Sequence, residues 1–151
     1  MLFRSDVNAV CTDAARAAPE GADDIRLELA PAAPRALADA ERLRLVLVNV
    51  LTNARQALQG TGRERDPDAI RLHTHEAAGR RVVIHVTDRG AGIAPDDLAR
   101  IFDPFFTTRR TGTGLGLAIS RNIIEGLDGT LTVTSREGHG TDVRIELPSA
   151  S

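Results

Sequence analysis

Apolar residues recur along this chain with two periods, one typical of helices and one typical of strands. From Glu41 to Leu58 they follow an i, i+3, i+4, i+7 spacing, which predicts a long helix that Asp39 caps. Segments 70–76 and 81–87 alternate apolar and polar residues around a turn with Gly79, which predicts a β-hairpin. The remaining predictions are helices at 6–17, 95–101 and 115–127 and strands at 25–29, 35–38, 131–135 and 143–147.

The composition is that of a globular domain with an aliphatic core. The 151 residues, 42% of them hydrophobic, suffice for one domain, so we expect 1–151 to form a single unit. Because the aromatic residues are four Phe with no Trp or Tyr, the core must consist of Leu, Val, Ile and Ala. A net charge of −2 gives no electrostatic case for binding nucleic acid or an anionic membrane.

Other features of the composition bear on location. The single cysteine, Cys11, cannot form an internal disulfide, which fits a reducing compartment. The longest apolar stretches, such as Leu45–Leu51, are far shorter than the ~20 residues of a membrane span, and the N-terminus has no signal-peptide pattern. We therefore expect a cytoplasmic domain, which is compatible with its being the cytosolic part of a membrane-bound sensor.

Two glycine-rich runs carry the strongest chemical signal. Asp88-Arg89-Gly90-Ala91-Gly92-Ile93 follows a predicted strand, where the carboxylate can accept a hydrogen bond from an exocyclic amine such as adenine N6. Gly112-Thr113-Gly114-Leu115-Gly116-Leu117 leads into a helix, whose N–H groups and dipole favour an anion. It is neither a Walker A loop nor a dinucleotide fingerprint. Taken singly, the first run could be a plain turn and the second a flexible hinge.

Asn49 and Asn53 share one face of the predicted long helix, since they are four residues apart. They lie near Val46 and Val50 on the helical wheel, where an unpaired buried amide costs roughly 1–3 kcal/mol. Their amide oxygens suit a hard cation such as Mg²⁺ together with phosphate. The alternative is two asparagines that face solvent.

The stretch from 90 to 113 is long for a connection in a compact domain, and such loops are usually functional. It contains three of the four phenylalanines, Phe102, Phe105 and Phe106, with Arg109 and Arg110 soon after. In a lid, the Phe side chains would anchor the loop while an arginine reached the terminal phosphate. A hydrophobic cluster under the loop is a compatible interpretation.

In this order the motifs resemble the catalytic, ATP-binding domain of two-component sensor histidine kinases. That group belongs to an ATPase superfamily shared with type II topoisomerases, mismatch-repair ATPases and a class of heat-shock chaperones. The resemblance spans roughly residues 6 to 148 and implies an α/β (α+β) Bergerat fold: a two-layer sandwich of a mixed, mostly antiparallel sheet with three main helices on one face. The matching motifs are the N box at 42–54, the glycine boxes at 88–93, 112–117 and 138–141, and the F box at 102–106.

The resemblance implies ATP and Mg²⁺ as cofactors. It assigns Asn53 as the Mg²⁺ ligand, Asn49 as a second metal-side or phosphate-side contact, and Asp88 as the acceptor of the adenine amine. Asn49, Asn53 and Arg109 are the implied catalytic residues. The implied nucleotide-binding residues are Asn49, Asn53, Asp88, Gly90, Gly92, Ile93, Phe102, Thr113, Gly114, Leu115, Gly116, Leu117 and Thr141. The sequence departs from the family pattern at Leu45, Gln56 and Val143.

The implied reaction transfers the ATP γ-phosphoryl group to a histidine on a separate dimerisation domain, for relay to a response regulator. The full-length protein would be a homodimer. The phosphoacceptor and dimerisation helices are expected to be absent here, since no histidine has their His-Glu/Asp context. We expect solvated or satisfied structural roles for the four histidines, His73, His75, His85 and His139.

Two alternatives remain at this level. One is an ATP-hydrolysing conformational machine of the chaperone, topoisomerase or repair type. Such relatives usually place a glutamate at the position of Asn49, where a carboxylate can activate water and an amide cannot. The same position argues against the related serine kinases. The other alternative, a degenerate nucleotide-binding module, is disfavoured by the intact Asp88 and Asn53.

Overall fold

The computed structural model describes residues 3–18, 25–103 and 116–150 of the chain. Four helices and seven strands lie in this part. The helices are α1 (Val7–Ala17), α2 (Ala40–Leu58), α3 (Pro95–Leu98) and α4 (Gly116–Gly126). The strands are β1 (Phe3–Asp6), β2 (Ile25–Glu28), β3 (Arg35–Ala38), β4 (Ile70–Ala77), β5 (Arg81–Asp88), β6 (Thr130–Arg136) and β7 (Gly140–Pro148).

The main sheet has five strands in the order β2-β4-β5-β7-β6. Only the β2–β4 pair is parallel, and the other three pairs are antiparallel, so the sheet is mixed and mostly antiparallel as predicted. The β4–β5 hairpin pairs Ile70 with Asp88 at one end and Ala77 with Arg81 at the other. This register decides which side chains of the two strands stand beside each other.

The core lies between this sheet and the three longer helices. Side chains from one face of the sheet, among them Leu72, Ile84 and Ile145, are fully buried against the apolar faces of α1 and α2 and against Ile124 of α4. The opposite face of β4 and β5 carries mainly polar residues, because successive side chains of a strand alternate between faces. The expected two-layer sandwich is confirmed.

Helices α1 and α2 each begin after an aspartate that caps the first turn, as the sequence predicts. The Asp39 carboxylate accepts hydrogen bonds from the backbone N–H groups of Glu41, at 3.0 Å, and Arg42, at 3.2 Å, in the first turn of α2. Asp6 caps α1 in the same way. In α1, burial raises the pKa of the Cys11 thiol to about 12, which keeps this cysteine protonated and unreactive.

The structure departs from the predicted elements at β1 and at α3. Strand β1 was not predicted, and it pairs with β3 in a separate two-stranded sheet. The short helix α3 ends at Leu98 and not at Ile101. None of the helices in the described ranges has the length and apolar character that crossing a membrane requires.

Candidate nucleotide-binding site

Asp88 ends β5 at the edge of the sheet where the first glycine-rich run begins. The residue is 9% exposed, and its Oδ1 accepts a hydrogen bond of 2.9 Å from the backbone N–H of Gly90. Its partner on β7 is Thr141. The strand end therefore places a carboxylate and a hydroxyl residue side by side on the face of the sheet that the helices cover.

The first glycine-rich run is pressed between the end of α2 and the β6–β7 turn. A Cβ on Gly90 would lie 2.5 Å from the carbonyl oxygen of Ala57, and the backbone N–H of Ala91 donates to that oxygen at 3.0 Å. Gly92 has φ +73°, and a Cβ there would collide with the carbonyl of Arg136. Both glycines are required because the backbone itself is the contact surface.

A hydroxyl pair joins the first glycine-rich run to the last two strands. The backbone N–H of Ile93 donates to Ser135 Oγ at 2.8 Å, and Ser135 Oγ lies 2.8 Å from Thr141 Oγ1. Ser135 Oγ also donates to the carbonyl of Gly140 at 3.0 Å. The sequence analysis missed Ser135. The sequence did offer one sign of its position: Ser135 follows Leu131 and Val133 at every second residue of β6, which places its side chain on the helix side of the sheet.

Asn49 connects α2 to the start of α4. Its Nδ2 donates a hydrogen bond of 3.0 Å to Ser120 Oγ, and Ser120 is only 2% exposed. A Cβ on Gly116 would lie 2.8 Å from the same Nδ2, so a larger residue there would displace this amide. Ser120 is a second residue that sequence reasoning missed, since a serine inside a helix carries no distinctive pattern.

Asn53 lies one turn further along α2, between Asn49 and Ala57. It is half-buried, and its side chain has no hydrogen-bond partner within the described ranges. Since Asn49 contacts α4 and Ala57 contacts the first glycine-rich run, the Asn53 amide faces the region between those two elements.

Phe102 also contacts α4. Its ring is partly buried against the core, and the guanidinium carbon of Arg121 lies 4.6 Å from the ring centroid, a cation–π distance. Gly116 and Leu117 form the first turn of α4. The other predicted residues of the loop and the second glycine run lie outside the described residues: Phe105, Phe106, Arg109, Arg110, Gly112, Thr113, Gly114 and Leu115.

A cavity of about 310 Å³ opens at the rim of the sheet beside this site. Asp88, Ser135 and Thr141 line it from the helix side, whereas Thr87 and Asp142 line it from the opposite face. Its lining therefore combines residues from both faces of the sheet at the end where Asp88 and Thr141 stand side by side.

The family model for histidine kinase-, DNA gyrase B- and HSP90-like ATPases matches residues 38–151, three quarters of the chain. The chain belongs to this ATPase family. The match covers α2, the strands β4 to β7 and both glycine-rich runs.

Curated relatives of this ATPase domain are sensor kinases. The chain is 47% identical over 116 residues to sensor histidine kinase ZraS of Salmonella typhimurium, covering 76% of the chain and 23% of ZraS. It is 41% identical over 111 residues to the histidine-protein kinase AtoS of Escherichia coli, covering 74% and 17%. It is 40% identical over 128 residues to the C4-dicarboxylate transport sensor DctB of Rhizobium meliloti, covering 85% and 20%. The chain thus spans less than a quarter of each of these relatives.

Solved structures agree with this ATPase fold. Full-length ShkA in complex with AMPPNP superposes with a TM-score of 0.80 at 31% identity, covering 99% of this chain and 31% of ShkA. The catalytic domain of histidine kinase ThkA gives a TM-score of 0.80 at 29% identity, covering 98% of this chain and 95% of that domain. The resemblance to histidine kinase catalytic domains is confirmed.

Proposed function

We propose that this chain, taken as one domain, is the catalytic unit of a two-component sensor histidine kinase. It would bind ATP and transfer the γ-phosphoryl group to a histidine on a separate dimerisation domain, for relay to an aspartate of a response regulator. Its full-length protein would act as a homodimer. Similarity to ZraS, AtoS and ShkA supports this proposal, although each is much longer than this chain.

The observation that supports the kinase assignment is that residue 49 is an asparagine. ATP-hydrolysing members of the superfamily resemble this chain but usually have a glutamate there, which activates water. The Asn49 amide donates to Ser120 Oγ and has no basic nitrogen or carboxylate with which to accept a proton from water. A site of this composition favours transfer to an acceptor brought in by another domain.

Asp88 and Thr141 are proposed to recognise the adenine ring. Asp88 is held by the Gly90 N–H, and the Ser135 hydroxyl holds Thr141 from behind, so both groups are fixed before nucleotide binds. A carboxylate at this point can accept the N6 amine of adenine but not the O6 carbonyl of guanine. Gly90, Gly92 and Ile93 would shape the wall of this base pocket.

Asn53 is proposed to hold Mg²⁺, with Asn49 beside it on the phosphate side. The donor fits the ion, because Mg²⁺ prefers oxygen ligands and the half-buried Asn53 amide has no other side-chain partner in the described ranges. When bound, the ion would offset the negative charge of the phosphates. Gly116 and Leu117, at the start of α4, would place backbone N–H groups toward the ATP phosphates.

Arg109 and the residues Thr113, Gly114 and Leu115 are proposed, on sequence alone, to complete the phosphate side. Phe102, anchored on the core and on Arg121, would fix one end of this loop. Use of ATP and the unpaired Cys11 also support a cytoplasmic location.

Radiolabelled ATP tests the proposed reaction. We expect the isolated chain to bind ATP but neither to label itself nor to release phosphate quickly. Adding the histidine-bearing helix domain of the full-length protein should yield acid-labile label on that domain alone, because transfer depends on aligning two bound groups. Fast phosphate release by the isolated chain would instead support the ATPase-machine alternative, and acid-stable label would indicate a serine kinase.

A further inference from the structure

Three of the four histidines gather on the face of the sheet opposite the helices. His73 of β4 and His85 of β5 are direct cross-strand partners, and His75 stands two residues along β4 on the same face. The ring centroids of His73 and His85 are 4.5 Å apart, those of His75 and His85 5.5 Å, and those of His73 and His75 6.1 Å. The register of the β4–β5 hairpin thus brings three imidazole rings into one continuous patch.

These rings are close enough to share one ion. A ring nitrogen from each lies within 4.8 Å of the nitrogens of the other two. Nitrogen ligands of a tetrahedral zinc site lie roughly 3.3 Å apart, since each Zn–N bond is about 2.0–2.1 Å. Closing this difference requires small rotations of side chains that project from neighbouring positions on the same face of the β4–β5 hairpin.

Two of the three rings already form a polar contact through Nδ1. Nδ1 of His85 lies 3.1 Å from Asp142 Oδ1 on β7, and Nδ1 of His75 lies 3.3 Å from the carbonyl oxygen of Glu76. Metal-ligating histidines typically donate their second ring N–H to a carboxylate or a backbone carbonyl. Such pairing leaves Nε2 of His75 and His85 as the nitrogens available for an ion.

The surrounding charges do not prevent a cation from binding. Arg71, two residues before His73 on β4, is paired with Glu28, and Arg144, opposite His85 on β7, is paired with Glu146 at 2.9 Å. His75 is the most exposed of the three, and none of the three residues is fully buried, so the rings are accessible from solvent. Partial burial and the neighbouring imidazoles lower the pKa of His73, which favours its neutral form.

We propose that His73, His75 and His85 form a binding site for one divalent transition-metal ion, Zn²⁺ being the best match, with Asp142 orienting His85. Three neutral imidazoles suit Zn²⁺, whereas Mg²⁺ requires oxygen ligands. The site is therefore chemically and spatially separate from the nucleotide site on the other side of the sheet. It also revises the expectation that these histidines are merely solvated or structural.

Isothermal titration of the untagged, EDTA-treated chain with ZnCl₂ tests the site. We expect one ion per chain, binding that excess Mg²⁺ does not compete away, and a ligand-field absorption spectrum typical of tetrahedral coordination when Co²⁺ replaces Zn²⁺. His73→Gln, His75→Gln or His85→Gln should each weaken Zn²⁺ binding at least tenfold. Asp142→Asn should weaken it about 10- to 100-fold, as expected for a residue that orients a ligand.

His139→Gln is the matched control, because His139 lies in the β6–β7 turn and is not part of the cluster. It should keep the wild-type Zn²⁺ affinity. Zn²⁺ should raise the thermal midpoint of the wild type and of His139→Gln but not of His75→Gln. His75 is the most exposed of the three cluster histidines, so its replacement should leave the fold intact, which the circular dichroism spectrum of the metal-free variant checks. Absent binding, or equal weakening in His139→Gln and the cluster variants, would overturn the proposal while leaving the ATP-site proposal intact.

Discussion

Asn49 of α2 and Ser120 of α4 are 71 residues apart in the chain, yet a hydrogen bond of 3.0 Å joins their side chains. The contact fixes the start of α4, where the second glycine-rich run ends, against the helix that carries both asparagines of the site. It also occupies one amide proton of Asn49, so this bond defines how the Asn49 side chain is turned.

A double-mutant cycle can measure this contact. Ser120→Ala and Asn49→Ala should each lower the free energy of unfolding by about 0.5–1.5 kcal/mol, since each leaves a buried polar partner unpaired or removes the bond. The pair should show a coupling energy of about 0.5 kcal/mol or more in urea denaturation. Ser135→Ala combined with Asn49→Ala is the control and should be additive. Additivity in both cycles would show that the Asn49–Ser120 bond contributes nothing.

Asp88→Asn should weaken ATP and ADP binding by about 1–3 kcal/mol, because the variant replaces one carboxylate oxygen with an amide donor that faces the adenine amine. The remaining carbonyl oxygen can still accept from the Gly90 N–H, so the turn should persist. Calorimetry should also show poor GTP binding by the wild type. Asp142→Asn, on the other face of the sheet, should leave ATP affinity unchanged. Equal ATP and GTP affinity of the wild type would refute the assignment.

Asn53→Ala should abolish the gain in ATP affinity that Mg²⁺ provides, while the affinity for adenosine stays near that of the wild type. The physical reason is the loss of one oxygen ligand from the metal without any change at the base pocket. Titrations with and without Mg²⁺ measure the difference. Thr52→Ala is a suitable control, because the Thr52 hydroxyl donates within α2 to the Val48 carbonyl at 2.7 Å and has no other hydrogen-bond partner among the described residues. An unchanged Mg²⁺ gain would mean that another residue holds the metal.

Gly140→Ala should destabilise the fold far more than Gly138→Ala, although both glycines have positive φ, +105° and +80°. A Cβ on Gly140 would collide with the carbonyl of Asp88, whereas one on Gly138 would meet nothing within 4 Å. Backbone conformation alone accounts for about 1–2 kcal/mol at either position. The collision should add about 1–3 kcal/mol at Gly140. Urea denaturation followed by circular dichroism compares the two, and equal losses would contradict the observed packing.

The sequence by itself determined the elements whose signals are local. The spacing of apolar residues and the Asp39 cap located α2, and the alternating segments around Gly79 located the β4–β5 hairpin. The order of the glycine-rich runs, the asparagines and the phenylalanines also identified the family, because each motif reflects a local backbone requirement for binding a nucleotide. These features depend on neighbours within a few residues, which a linear chain displays directly.

Tertiary structure alone decided the contacts between distant segments. The sequence could not indicate that β1 pairs with β3 outside the main sheet, because four-residue strands carry little pattern and their pairing depends on the rest of the fold. Nor could it indicate Ser120 and Ser135, two common residues whose importance comes only from what packs against them.

The histidines show the same division most clearly. Their positions on strands followed from alternation, but their convergence required the register that sets His73 opposite His85 and brings Asp142 of β7 next to His85. Alternation is a property of one strand, whereas register is a relation between strands that turn geometry and core packing fix together. A cluster that spans three strands is therefore visible only after the sheet has formed.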